Sequence, residues 1–223
     1  MMMRHILSVA VVVAVAATGT ACSGTGPSSA EVADTSGPGV YGATTGVTGI
    51  CPKLGYQPFA ELLGTPRPTT ITMDRTSRTD VSRTTACAQN IGHQPGGSLD
   101  PAAPQGDITT LLTYWKDVDT AKSLFATTQD NDGRPAKEGA TTAVTGVGTE
   151  AYRYTLKQSA DGAVTLFLVS RSSNLVLTVQ LTAISATPWS DQQLHQLFDR
   201  MGDHAKAVFP IARHAAPPPT GTP

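Results

Sequence analysis

Three cysteines, two histidines in one helical segment and a few clustered carboxylates are the residues whose types could do chemistry here. His195 and His204 have Ser190, Asp191 and Asp203 nearby, the residue types of a hydrolytic triad. A triad draws Ser, His and acid from separate elements, and the chain has no GxSxG elbow. Nine positions separate the histidines, which puts them on different turns rather than as an i, i+4 metal pair. Both read as solvated residues of a polar helix face. Asp130, Asp132 and Gly133 fit positions 3, 5 and 6 of a calcium loop, but Thr128 and Gly139 then stand where Asp and a bidentate Glu are needed. A polar turn after a helix is the better reading. Asp117 and Asp119 have the form of paired acids, for which a place at a helix start is sufficient reason. No residue set is assigned to catalysis, a cofactor or a metal.

Gly37-Pro38-Gly39-Val40-Tyr41-Gly42 matches GxGxxG in form. A dinucleotide loop needs a strand before it and a helix start after it, and no strand precedes it here. Arg75, Arg78 and Arg83 form the one basic cluster, with Asp74 and Asp80 inside it, as suits an edge strand protected by charge. A formal net charge of -1 supplies no basic face, so nucleic acid is not an expected partner. Tyr114, Trp115, Phe125, Tyr152, Tyr154, Phe167 and Trp189 are candidates to line an apolar groove between helix and sheet, with core packing the commoner role.

The N-terminus has the three-part form of an export signal: Arg4 and His5, an apolar run from Ile6 to Ala17, then small residues. The run is about 12 residues where a membrane span takes about 20, so it reads as a removable signal over 1–21. Gly19-Thr20-Ala21-Cys22 resembles the lipobox of bacterial lipoproteins. The resemblance implies diacylglyceryl transfer to Cys22, cleavage before it, acylation of the new amino terminus by palmitate, and attachment to the extracytoplasmic side of the cell membrane. Two chains make a stable anchor where one is marginal, since each buried CH₂ adds about 0.8 kcal/mol. The alternative is an ordinary secretory signal with Cys22 as a free or disulfide-forming thiol. Lipidation of Cys22 would leave Cys51 and Cys87 as a pair. Their disulfide would restrict the unfolded chain by about 4 kcal/mol and require an oxidising compartment. Two buried free thiols or a two-cysteine metal site are the rival readings, and no further ligands accompany either cysteine.

These residues must be positioned by the elements between them. Residues 22–50 are rich in Gly, Ser, Thr and Ala and read as a lipidated N-terminus and flexible tether; 215–223 read as a disordered Pro-rich tail. Between them, 51–214 form one globular domain. Pro58 to Gly64 is a short helix with Pro at its start and Gly at its stop. The Thr-rich stretch that follows supplies one or two exposed strands carrying Cys87 into the core, and Asp107 to Trp115 is a strand. "DVDTAKSLFATTQ" has an Asp cap and apolar residues at helical spacing. Three strands follow, with Tyr152, Tyr154 and Leu156, then Val164, Leu166 and Leu168, then Leu175, Leu177, Val179 and Leu181 facing inward; "SADG" and "SSN" join them as antiparallel hairpins. A last helix has Thr187 as cap, Pro188 in its first turn, and Leu194, Leu197, Phe198, Met201, Ala205 and Val208 on one face. The class is therefore α+β: a single domain with helices packed on one face of an antiparallel sheet.

Signal, lipobox, polar tether, "CPKLGYQPFAELLG", a second cysteine 36 positions on and "VTGVGTEAY" before a meander and final helix together resemble the small cell-envelope lipoproteins of actinobacteria with a domain of unknown function. That resemblance implies a PsbP-like or sensor-like fold and no catalytic residues. The expectation is a membrane-anchored lipoprotein whose domain is a non-catalytic binding or accessory module for an envelope protein, a polymer or an apolar ligand. The rivals are an envelope hydrolase with dispersed catalytic residues and a carrier of an apolar ligand.

Overall fold

Alternating apolar residues in the second half of the chain create the sheet around which everything else is arranged. The computed structural model describes residues 35–42, 49–66, 77–79, 81–92, 102–134, 141–159 and 161–215, all within one unit that runs from Val32 to Pro223. The signal, Cys22 and the tail beyond 215 lie outside the described residues. The strands are β1 (Thr65–Pro66), β2 (Ser77–Arg78), β3 (Ser82–Gly92), β4 (Gln105–Trp115), β5 (Thr142–Ala143), β6 (Glu150–Gln158), β7 (Ala163–Ser172) and β8 (Leu175–Ile184). The helices are α1 (Ala60–Leu63), α2 (Val118–Asp132) and α3 (Asp191–Ala215), and 3-10 turns at Cys51–Lys53 and Gln57–Phe59 lead into α1. Every strand pairing is antiparallel; the order is β1-β3-β4-β8-β7-β6-β5, with β2 alongside β3. The chain thus forms a single α+β domain, an antiparallel sheet with three helices packed against it.

Register decides which residues share a face. Leu112 stands opposite Leu177 and Ile108 opposite Leu181, while Leu168 and Leu166 on β7 stand opposite Val179 and Leu181. All are buried, and α3 covers them with Leu197, Met201, Ala205 and Val208. Each such side chain contributes about 1.5–3 kcal/mol relative to exposure. The other face also carries apolar side chains: Tyr152 opposite Val169 and Tyr154 opposite Phe167, met by Phe125 of α2. The helices are therefore divided between the two faces instead of sharing one. "LFLV" on β7, Leu166 to Val169, is apolar at consecutive positions, so both of its faces need cover.

Several local signals operate as their chemistry dictates. Asp117 accepts the Thr120 amide at 2.6 Å and caps α2, and Gly64 ends α1 at φ 91°. Other elements differ from expectation. The last helix is capped by Ser190, not Thr187. The Ser190 hydroxyl accepts the Gln193 amide at 3.3 Å and the Gln193 side chain accepts the Ser190 amide at 2.9 Å, a reciprocal capping box. Thr187 instead belongs to the preceding turn, where its carbonyl and amide bond the Ser185 hydroxyl. Leu156 is not inward: the β6–β7 register shifts between Thr155 and Lys157, and Leu156 is exposed.

The expected tether is also shorter than composition suggested. Tyr41 and Ile50 belong to the core. The Asn174 side chain clasps Tyr41 from both sides, accepting its amide at 3.0 Å and donating to its carbonyl at 2.9 Å. A side chain at Gly39, whose φ is +82°, would collide with Asn174. Residues 36–41 therefore form a strap across the β7–β8 turn and the start of α2, where Ser36 bonds Asp119 and the Val118 amide bonds the Gly37 carbonyl.

Candidate functional site

Cys51 opens the first 3-10 turn and Cys87 lies on the buried face of β3, which brings their Cα atoms to 5.4 Å in a disulfide. Around it sits a closed polar chain. His204 is fully buried on the apolar face of α3, contrary to the solvated position expected of it. Its Nδ1 lies 2.9 Å from the Gly55 carbonyl, an acceptor only, so Nδ1 carries the proton. Nε2 of the neutral ring then accepts from the Thr110 hydroxyl at 2.9 Å, and Thr110 accepts in turn from Tyr56 at 3.5 Å. The ring stacks on Tyr56 at 4.9 Å between centroids and meets Phe59 edge-on. Burial pushes the imidazole down to about 4, against the opposing pull of the Gly55 hydrogen bond, and burial pushes the Tyr56 hydroxyl up to about 12. This arrangement pins the Cys51–Gly64 segment to sheet and helix with no exposed reactive atom.

Of the two histidines singled out in the sequence, His195, one turn into α3, is the one that reaches solvent, as expected of a polar-face residue. It lines an open cleft of about 210 Å³ with Asp191, Leu194 and Phe198 of α3 and Thr142, Arg153, Tyr154 and Thr155 of the β5–β6 edge. Arg153 stands opposite Leu168, hence on the face that α3 covers, and its guanidinium carbon lies 4.7 Å from the Phe198 ring centroid. Ser190 does not join His195 and Asp191 as a nucleophile, because its hydroxyl is committed to the helix cap. Asp203, the other acid near the histidines, faces Lys206 at 3.8 Å on the surface.

On the opposite face, a second cleft of about 160 Å³ opens between α2 and the sheet, lined by Trp115, Leu124, Phe125, Val169 and Val176 with three threonines. Three of the seven groove candidates thus line a cleft, Trp115 and Phe125 here and Tyr154 in the other; Tyr114, Tyr152 and Trp189 are buried in the core. Next to it Asp132 is buried at the end of α2 and accepts the Tyr152 hydroxyl at 2.9 Å. Burial first, and the Asp132 carboxylate second, raise both the Tyr152 and Tyr154 hydroxyls above the ordinary tyrosine range. The helix continues through Asp130 and Asp132, so these residues form neither a calcium loop nor a free turn. Asp117 and Asp119 do not act as paired acids: one caps α2 and the other takes the Ser36 hydroxyl. Hydrogen bonds from Thr120 hold the Asp117 carboxyl below its usual range.

Gly37 and Gly39 lie in the strap and Gly42 directly follows it, with no strand before them among the described residues. Of the basic cluster, Arg83 is exposed on β3 opposite Arg78 of β2, while Arg75, Asp74 and Asp80 lie outside the described residues. Among the described residues no three His, Cys, Asp or Glu side chains group as metal ligands. Sequence reasoning missed Arg153 and placed His204 on the wrong face of its helix. Spacing held a signal for the second: 204 follows 197 by seven and 201 by three, on the apolar stripe of α3.

No protein-family model, curated protein or solved structure matches the chain.

Proposed function

We propose that this chain is an exported lipoprotein of the cell envelope, held on the extracytoplasmic side of the membrane by lipid on Cys22, with an α+β domain that binds a partner rather than catalysing a reaction. The observation that carries this reading is the Cys51–Cys87 disulfide. It supports an oxidising compartment, and it leaves Cys22 as the one cysteine not used by the domain. That cysteine closes Gly19-Thr20-Ala21-Cys22, directly after an apolar run of signal length. The similarity to small actinobacterial lipoproteins belongs to the same reading. Binding is favoured over hydrolysis because His204 is enclosed and the Ser190 hydroxyl beside His195 is engaged as a cap. The partner is an envelope protein, a polymer or an apolar molecule.

Fractionation and intact mass test the anchor. The mature chain should start at Cys22, carry the mass of a diacylglyceryl group and partition with membranes, and Cys22→Ser should move it to the soluble fraction. Soluble wild-type protein cleaved at another position would overturn the anchor.

A further inference from the structure

We propose that the cleft between the first two turns of α3 and strand β6 binds a small organic monocarboxylate with a compact apolar body, Arg153 being its charge anchor. This deepens the binding-module reading and rests on it for the role of the domain, but is independent of the lipid on Cys22.

Arg153 is the starting point. It is half-buried on the α3 side of β6, and no hydrogen bond or ion pair engages its guanidinium among the described residues. Two other arginines of the domain are matched by carboxylates: Arg171 pairs with Glu150 and donates to the Ser173 carbonyl, and Arg200 pairs with Glu61. A guanidinium withdrawn from water without an anion is an electrostatic deficit that a ligand carboxylate can fill. The guanidinium carbon lies over the Phe198 ring, 4.7 Å from its centroid, a cation–π contact that holds the group against one wall of the cleft. The in-plane N–H donors are left for a two-pronged contact with a carboxylate.

The remaining lining narrows the ligand. Thr142 and Thr155 add hydroxyls, and Leu194 and Phe198 supply an apolar wall. A space of about 210 Å³ is slightly larger than a cavity that holds one benzene ring, about 150 Å³. A ring or short branched chain bearing one carboxylate fits. Asp191 also lines the cleft, and its negative charge opposes a multiply charged anion such as a phosphate monoester more than a single carboxylate.

The full chain, purified from whichever fraction contains it, is titrated with phenylacetate and with its neutral counterpart phenylacetamide by NMR. Phenylacetate should bind about tenfold or more tightly than the amide, as a charge-assisted contact requires, and added salt should weaken the acid selectively. Arg153→Gln should remove that preference. Asp191→Asn, a change at an exposed position, should tighten phenylacetate binding a few-fold by lifting a like charge; it decides the matter if R153Q does not fold. Equal binding of acid and amide, no binding of the acid, or D191N binding phenylacetate no better than the parent would overturn the proposal. Loss of membrane partition bears on the Cys22 anchor alone, and loss of phenylacetate binding on the cleft alone.

Discussion

At the scale of single residues, His204 has the clearest consequence for behaviour. The folded ring stays neutral until about pH 4, whereas an unfolded histidine takes its proton near 6.5. Between those values the unfolded chain binds more protons, so stability is fully present above about 6.5 and is lost as the pH falls toward 4. The loss from this one group amounts to about 3 kcal/mol. Urea denaturation at several pH values across that window should show it, and His204→Gln should flatten the profile while lowering stability at neutral pH. An unchanged slope in H204Q would mean that other groups set the acid sensitivity. Arg153 is the contrasting case. Both are polar residues on the side of the sheet that α3 covers, but His204 has a partner for each ring nitrogen and Arg153 has an aromatic face and no anion. The first is held for structure, and the second is poised for a ligand.

At the scale of elements, two attachments hold the N-terminal part of the domain. The disulfide ties the first 3-10 turn to β3 across a separation of 36 residues, and removing it as Cys51→Ser with Cys87→Ser should cost about 4 kcal/mol in denaturation. The strap depends instead on Asn174, which also donates to the Trp115 carbonyl at 2.9 Å. Asn174→Ala should raise hydrogen exchange at Val40 and Tyr41 well before that of the α3 core, as expected for a locally opening unit. Uniform loss of protection would show that the strap and the core unfold together. Strands and helices were largely legible in the sequence because their apolar periods are strong: β7, β8 and the α3 stripe follow the expected residues. The features that were not legible depend on partners distant in sequence. The second covered face required knowing that Tyr152 and Tyr154 stand beside Phe167 and Val169. The bulge that expels Leu156 is a property of the β6–β7 pair, and the strap is made by Asn174, more than a hundred positions from Tyr41. Arg153 alternates with two tyrosines, so it reads as a solvent-facing strand residue until α3 is placed over it.

At the scale of the molecule, the strap and the cleft give the domain a direction. Tyr41 lies against Phe209, near the C-terminal end of α3, whereas the cleft is lined by residues 191–198 at the other end of that helix. Some 14 residues of helix from His195 to Phe209 separate them by about 21 Å at 1.5 Å per residue. On the anchored reading, a chain leaving Cys22 is therefore attached at one end of the domain and presents its ligand cleft toward the other. Blocking Arg153 should then leave membrane partition unchanged, while Cys22→Ser should leave phenylacetate binding unchanged; a coupled loss in either variant would show that the two ends are not independent. The docking of Ser36 also acts as a length standard. Only residues 23–35 separate Cys22 from Ser36, and a chain of that length spans at most about 50 Å however it is drawn out. If Cys22 carries lipid, as proposed, Ser36 becomes the far end of a short leash, and a partner beyond that reach would have to come to this protein, which would have too little chain to go to it.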